Sequence, residues 1–320
     1  MSLQRTELFM IRLTTTLQRI AFFLGLIFVT HFSFSANKIN DLKIQTTTPG
    51  DSTKVTLEID ANFHIYLCFG QSNMEGSATI ESQDTISSTR FQMLQSLDCP
   101  NLNRTKGSWY AAAAPLTQCY TGLSPADYFG KNMIKNLPDS ITIAVINVAV
   151  GGSDIRLFNK KKYQKFTDTY PEDWFQNKII DYGGNPYQHL IDLAKKSQKR
   201  GIINGILLHQ GETNNGDTKW PTYVKKIYRN MLKDLSLKAN QVPLLAGEVV
   251  HKDQNGLLAE MNTIIQTLPK SIPTSHVISS RGCGAKSDRT HFNSEGIREL
   301  GKRYALKMLS LQYNLVPTHN

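Results

Sequence analysis

Short apolar runs alternate with stretches of helical periodicity from Phe63 onward. The apolar runs predict strands covered on both faces, as in a parallel sheet. They are FHIYLCF (63–69), ITIAVINVAV (141–150), INGILLHQ (203–210), VPLLAGEVV (242–250) and HVISS (276–280). Helical periods cover 124–137, 185–200, 220–235, 257–268 and 294–311. This alternation predicts an α/β fold, a three-layer α/β/α sandwich with a central parallel sheet and right-handed crossovers.

Polar motifs follow four of these predicted strands. They are GQSN (70–73), GGSD (151–154), QGETN (210–214) and SDRTH (287–291). Open α/β sheets bind their ligands beyond the carboxyl ends of the strands. We therefore expect the four motifs to meet at one edge of the sheet.

The first 60 residues have a different pattern. Arginines precede the apolar segment IAFFLGLIFV (20–29), and small residues follow it in SFSA (33–36). This order predicts a secretory signal peptide over residues 1–35, removed on export to the periplasm or the exterior. The alternative is an uncleaved membrane anchor, although the apolar run is slightly short for a span. Residues 36–60 are expected to be a linker or appendage containing a short edge strand, KVTLEI (54–59), and residues 61–315 one domain.

Charge and cysteine content limit the classes of partner. The net charge is +10 over 320 residues, which suits an acidic partner or solubility alone. Export, and the lack of any nucleic-acid signature in the sequence, argue against nucleic acid. No CxxC or His-rich cluster suggests a metal, so none is expected. Cys99 and Cys119 flank one loop-like segment and can pair, whereas Cys68 lies in an apolar strand and is expected to be a buried thiol.

Three residues have the chemistry needed to activate a serine as a nucleophile. A serine hydroxyl needs a base to take its proton, and the base needs a carboxylate to fix its tautomer. Ser72 is the candidate nucleophile, His291 the base and Asp288 the acid, because the Asp-x-x-His spacing lets one loop turn join the last two. Glu212 remains the rival acid. A lone serine in a turn is usually structural, and what favours catalysis is the position of all four motifs at strand ends.

An acyl-transfer site also needs donors for the oxyanion. The candidates are the backbone N–H groups of Ser72 and Gly152 and the side-chain amide of Gln210. The nucleophile elbow Gly-x-Ser-x-Gly is absent, since Met74 stands where the second glycine belongs. This argues against the ordinary α/β-hydrolase topology.

Taken together, GQSNMEG, NVAVGGS, LLHQGET and DRTHFNSEG resemble the four successive blocks of the SGNH (GDSL-like) hydrolases. The variant is that of sialate O-acetylesterase-like and family-six carbohydrate esterases, with the strongest likeness to secreted bacterial acetylxylan esterases, and the resemblance covers Phe63 to Leu311. It implies a flavodoxin-like fold, an SGNH-type esterase domain and metal-independent chemistry without a cofactor. The implied triad is Ser72, Asp288 and His291, and the implied oxyanion hole is Ser72, Gly152 and Gln210.

The resemblance implies a serine esterase that removes O-acetyl groups from a polysaccharide, acetylxylan first, through an acetyl-serine intermediate. A sialate O-acetylesterase is the alternative, and a non-catalytic glycan-binding protein on the same fold is the alternative of another class. The complete Ser72, Asp288 and His291 set favours the enzyme. The expected partner is an acetylated carbohydrate, with membrane contact only through the signal segment, and the sequence does not indicate an oligomeric state.

Candidate substrate-binding residues are Gln71, Asn73, Trp109 and Tyr110, the first two also as braces of the loop around Ser72. Two long segments, 77–123 and 154–184, leave from the active edge, and loops of this length are uncommon unless functional. Their aromatic residues can stack on sugar rings. These residues are Trp109, Tyr110, Tyr120, Phe158, Tyr163, Tyr170, Trp174 and Phe175.

Overall fold

Seven strands form one sheet in the computed structural model, which describes residues 59–167 and 171–315. The strands are β1 (Phe63–Gly70), β2 (Phe91–Leu94), β3 (Trp109–Ala111), β4 (Thr142–Ala149), β5 (Ile202–His209), β6 (Leu244–Gly247) and β7 (Ser275–Ile278). Their order is β3-β2-β4-β1-β5-β6-β7, and only the β2–β3 pair is antiparallel. The predicted α/β fold with a central parallel sheet is confirmed.

Helices cover both faces of the sheet. They are α1 (Ser72–Glu75), α2 (Pro125–Asn136), α3 (Gln164–Thr167), α4 (Asp173–Asp181), α5 (Pro186–Ser197), α6 (Trp220–Asp234), α7 (Met261–Ile265), α8 (Leu268–Ser271) and α9 (Ser294–Gln312). Helix starts predicted from Ser124 and Asn185 are confirmed, with the Asn185 side chain accepting a hydrogen bond from Gln188 N–H at 3.1 Å.

Strand β1 shows why the sheet is buried on both sides. Successive side chains of a strand point to opposite faces. Ile65, Leu67 and Phe69 enter one core, which α4 to α8 cover. Tyr66 and Cys68 enter the other core, which α2 and α9 cover. All five side chains are fully buried, which explains the unbroken apolar run in the sequence.

The register of the central strands positions the polar motifs. Gly70, the last residue of β1, pairs with Ala149 of β4 and with His209 of β5. The three strands therefore end at the same level, and the segments that follow them start side by side.

The long segments and one helix differ from the sequence-based expectation. Segment 77–123 contributes β2 and β3 to the edge of the sheet, and segment 154–184 contains α3 and α4. The helix predicted over 257–268 is wrong, since only α7 and the start of α8 lie there. Leu257 donates its N–H to Arg289 O at 3.1 Å, which ties the start of this stretch to another loop.

Cys99 and Cys119 form a disulfide, while Cys68 is a buried free thiol as expected. In the described part of the chain, no helix is long and apolar enough to cross a membrane. The predicted signal peptide and the predicted edge strand KVTLEI, apart from Ile59, lie outside the described residues.

Candidate active site

Ser72, His291 and Asp288 form a hydrogen-bonded chain. Ser72 is the first residue of α1, and only Gln71 separates it from Gly70 at the end of β1. Its Oγ lies 2.9 Å from His291 Nε2, and His291 Nδ1 lies 2.8 Å from Asp288 Oδ2. A hydroxyl, an imidazole and a carboxylate in this order can deprotonate the serine and stabilise the resulting imidazolium.

Hydrogen bonds from the loop fix the Asp288 carboxylate. Its Oδ1 accepts the backbone N–H groups of Thr290 and His291, both at 2.9 Å. Burial raises the pKa of Asp288, but the hydrogen bonds from His291 and Thr290 outweigh it and lower the pKa to about 2. The carboxylate is therefore ionised at neutral pH and holds the proton of the imidazole on Nδ1.

Two backbone N–H groups remain available beside Ser72. Both Ser72 and Gly152 line the cleft, and within the described chain neither N–H has an acceptor. Gly152 has a φ of 78°, in the left-handed region that favours glycine. The preceding Gly151 donates its N–H to Glu75 Oε1 at 3.0 Å, which holds this loop against α1. Such preorganised donors suit an oxyanion.

The Gln210 side chain does not reach the cleft, which corrects the expectation of a third oxyanion donor. It is fully buried, and its Nε2 donates to Gln71 Oε1 at 3.0 Å and to Asn214 Oδ1 at 2.7 Å. Its Oε1 accepts the Trp220 indole N–H at 2.5 Å, which fixes the amide in this orientation. Gln210 therefore supports the floor of the site.

Gln71 is the side-chain amide that lines the cleft beside Ser72. Its Oε1 is taken by Gln210, whereas its Nε2 has no acceptor among the described residues. The sequence predicts substrate binding by Gln71 but places the amide donor at Gln210, whereas the structure places the Gln71 amide at the cleft.

Asn73 joins the serine helix to the histidine loop. It is fully buried; its Nδ2 donates to Glu212 Oε1 at 2.7 Å and to Thr290 O at 3.2 Å, and its Oδ1 accepts the N–H of Phe292 at 3.2 Å. Because its polar atoms are used internally, the structure does not offer Asn73 to a substrate. Its contacts fit the other role expected of it, as a brace of the loop around Ser72.

Glu212, the rival acid, occupies a different position from Asp288. It forms no hydrogen bond with His291 and lies 3.9 Å from His209 Nε2, measured from Oε1. Burial raises the pKa of Glu212. The geometry therefore gives the His291 Nδ1 contact to Asp288.

The cleft above these groups has a volume of about 440 Å³. Its lining comprises Gln71, Ser72, Glu75, Gly151, Gly152, Trp174, Lys178, Glu212, Thr213, Leu258, Thr290 and His291. Lys178 Nζ lies 2.6 Å from Glu75 Oε2 in a largely buried ion pair. In the described part of the chain, no three His, Cys, Asp or Glu side chains converge as a metal site requires.

Trp109 and Tyr110 do not lie at the cleft, which corrects the substrate-binding expectation for both. The Trp109 ring packs on Phe63, the first residue of β1, with ring centroids 5.0 Å apart. The Tyr110 hydroxyl accepts the Thr105 N–H at 2.8 Å. From the second segment, Phe158 and Phe175 are buried in the core, and Tyr170 lies outside the described residues.

Comparison with known proteins identifies a family and a shared fold. Residues 62–310 match a family model described as "SASA: Carbohydrate esterase, sialic acid-specific acetylesterase". A protein from Arabidopsis thaliana is similar in fold, with a TM-score of 0.59 at 18% identity over 78% of this chain and 99% of that one. NanS gives 0.56 at 13% identity over 81% and 100%. A carbohydrate acetylesterase from Xanthomonas citri gives 0.54 at 18% identity over 78% of this chain and 57% of that one.

Proposed function

This chain belongs to the SASA family of carbohydrate esterases, the sialic acid-specific acetylesterases, and we propose that it removes O-acetyl groups from an acetylated glycan through an acetyl-serine intermediate. The observation that carries the proposal is the chain of hydrogen bonds from Asp288 through His291 to Ser72. The N–H groups of Ser72 and Gly152, which have no acceptor among the described residues, support it from the same cleft.

In the first half of the reaction, His291 Nε2 takes the proton of Ser72 as Oγ attacks the acetyl carbonyl carbon. The N–H groups of Ser72 and Gly152 hold the oxyanion, and Gln71 Nε2 is a further donor from the same side. The bond from the carbonyl carbon to the sugar oxygen then breaks, and His291 returns its proton to that oxygen. The deacetylated sugar leaves, and the acetyl group stays on Ser72.

In the second half, water replaces the sugar. His291 takes a proton from the water, which attacks the acetyl-serine carbonyl, and the same donors hold the second oxyanion. The bond from the acetyl carbon to Ser72 Oγ then breaks, His291 returns its proton to Oγ, and acetic acid leaves and ionises to acetate. Asp288 keeps the imidazole in the tautomer that both halves require.

For the specific substrate we propose acetylxylan. The resemblance of the four motifs to acetylxylan esterases supports this choice. A sialate O-acetylesterase is the second candidate, because the family description names sialic acid.

We also propose that the mature enzyme is exported. The arginine-led apolar segment at the N-terminus supports this, as does the Cys99–Cys119 disulfide, since disulfides persist mainly in oxidising compartments. N-terminal sequencing of the enzyme recovered outside the cytoplasm tests it, and intact residues 1–35 in an enzyme confined to the cytoplasm would refute it.

The test of the activity is acetate release by the wild type and by Ser72→Ala from acetylxylan, O-acetylated sialic acid and p-nitrophenyl acetate. We expect Ser72→Ala to lose all measurable turnover while its circular dichroism and melting temperature stay unchanged. Ser87→Ala is the matched control, because Ser87 is exposed and lies outside the cleft. Turnover retained by Ser72→Ala refutes the mechanism, and preference for the sialate ester selects the second candidate.

A further inference from the structure

Helix α4 presents an aromatic ring to the cleft. Phe175 and Ile179 bury their side chains in the core and anchor the helix, while Trp174 is 51% exposed and lines the cleft. The Trp174 ring lies close above Gly152, where a Cβ would stand only 3.0 Å from Cη2. Lys178, one turn later, has its Nζ 5.8 Å from the ring centroid. An exposed indole held in this way beside Ser72 is a platform for an apolar ligand face.

A second cavity of about 400 Å³ adjoins the cleft. The two cavities share Glu75 and Lys178 in their linings, so they meet over this ion pair. The second cavity carries Tyr120, which is 66% exposed and follows the disulfide-bonded Cys119. Each cavity is of the size that holds one small ligand, roughly 300 to 1,000 Å³. An aromatic ring thus stands in each of two adjoining cavities.

The two cavities offer no unpaired lysine or arginine among the described residues that line them. Among the described residues that line them, Lys178 is the only lysine or arginine, and its ammonium is paired with Glu75 at 2.6 Å. Glu212 adds a further acidic group. A sugar carboxylate would leave water without gaining a cationic partner, which is costly. A neutral sugar has no such cost, and its C–H face suits an aromatic ring.

We propose that the two cavities form one groove for a chain of neutral sugars, with Trp174 under the acetylated sugar and Tyr120 under a sugar further along the chain. The proposal rests on the proposed esterase function and adds the residues that select its substrate: Trp174 and Tyr120 favour an acetylated neutral oligosaccharide or polysaccharide over an anionic sugar or a single sugar.

The test is steady-state kinetics of Trp174→Ala and Tyr120→Ala on three esters. They are p-nitrophenyl acetate, an acetylated methyl xyloside as a single sugar, and acetylated xylo-oligosaccharides. Ile180→Ala is the matched control, because Ile180 is 66% exposed on the same helix but does not line the groove. Tyr120→Phe keeps the ring and should retain most of the activity.

We expect Trp174→Ala to lower kcat/KM about tenfold or more on both sugar esters, and Tyr120→Ala to do so on the oligosaccharide alone. The losses of Trp174→Ala and Tyr120→Ala should be smaller on p-nitrophenyl acetate than on the oligosaccharide, because that ester has no sugar to rest on either ring, and Ile180→Ala should stay within about twofold of the wild type on all three esters. The wild type should prefer the acetylated oligosaccharide to O-acetylated N-acetylneuraminic acid.

Two results would overturn the groove. One is that both alanine variants behave like Ile180→Ala on the oligosaccharide, and the other is that the wild type prefers the sialate ester. A separate measurement tests sugar binding independently of turnover. It is calorimetry of unacetylated xylo-oligosaccharide binding to Ser72→Ala, and the affinity should fall when Trp174→Ala or Tyr120→Ala is added. Failure of the Ser72 test with this binding intact would refute only the mechanism.

Discussion

Replacing Asp288 by asparagine tests which carboxylate orients His291. In the wild type, Oδ2 accepts the Nδ1–H of His291 and Oδ1 accepts two backbone N–H groups, at 2.8, 2.9 and 2.9 Å. All three contacts need an acceptor, but an asparagine has one oxygen and one NH₂ group. One orientation sets NH₂ against Nδ1 and favours the tautomer with its proton on Nε2, which cannot accept from Ser72. The other sets NH₂ against the backbone donors and distorts the loop.

The size of the effect follows from this conflict and from the solvent around it. Loss of the correct tautomer in a serine triad costs about 10,000-fold in kcat. The Asp288 side chain is 48% exposed, so water can relieve part of the conflict, and we expect a loss between about 100-fold and 10,000-fold. KM should change little, because Asp288 does not line the cleft.

The assay is the kcat of p-nitrophenyl acetate hydrolysis, with Glu212→Gln as the matched variant. The glutamine side chain of that variant keeps an oxygen that can accept from Asn73 Nδ2, the 2.7 Å contact of the wild type. We therefore expect Glu212→Gln to lose less than about tenfold in kcat. Equal losses in the two variants, or a larger one in Glu212→Gln, would refute the assignment of Asp288.

Three further predictions concern the loop, the disulfide and acid stability. Gly152→Ala places a Cβ at a φ of 78° and 3.0 Å from Trp174, so kcat should fall about 100-fold as the oxyanion donor shifts; a normal kcat would remove Gly152 from the hole. The double variant Cys99→Ser, Cys119→Ser removes a cross-link between residues 20 apart in sequence. Its free energy of unfolding in a denaturant titration should fall by about 3 kcal/mol, and an unchanged value would show that other contacts hold the loop. Burial lowers the pKa of His209 to about 3 from 6.5. Between these values the unfolded chain binds a proton that the folded chain does not, so the free energy of unfolding is highest above pH 6.5 and falls as the pH drops toward 3. The melting temperature of His209→Gln should depend less on pH over that range, and an identical pH profile would contradict this.

The strands that carry the site were predictable because each is buried on both faces. β1, β4 and β5 have eight residues each, and their nearly continuous apolar runs are typical of buried parallel strands. β2 and β3 have four and three residues, too few for a period to be visible. They gain their place by pairing, β2 with β4 and β3 with β2. Local sequence carries no signal for such tertiary pairing.

The two glutamines, Gln71 and Gln210, show what the sequence cannot predict about the site. Gln71 and Gln210 both follow strands that end at the same level, so the sequence offers either as an amide donor. What separates them is the Trp220 indole, which holds Gln210 Oε1 from the start of α6. That contact depends on how α6 packs, and no spacing in the sequence indicates it.

Trp174 and Trp109 show that the sequence does not predict which aromatic residues line the cleft. Each lies in a long segment that leaves from the active edge, but Trp109 is half-buried against the core beside Phe63, whereas Trp174 is exposed at the cleft. The proposed catalytic groups follow strands, and sheet pairing fixes their relative positions, so their order along the chain predicts the reaction. The walls come from segments positioned by individual packing contacts, such as the Phe175 anchor of α4. Motif order therefore predicts a reaction type in this fold, whereas a prediction of substrate preference needs contacts that only the folded chain makes.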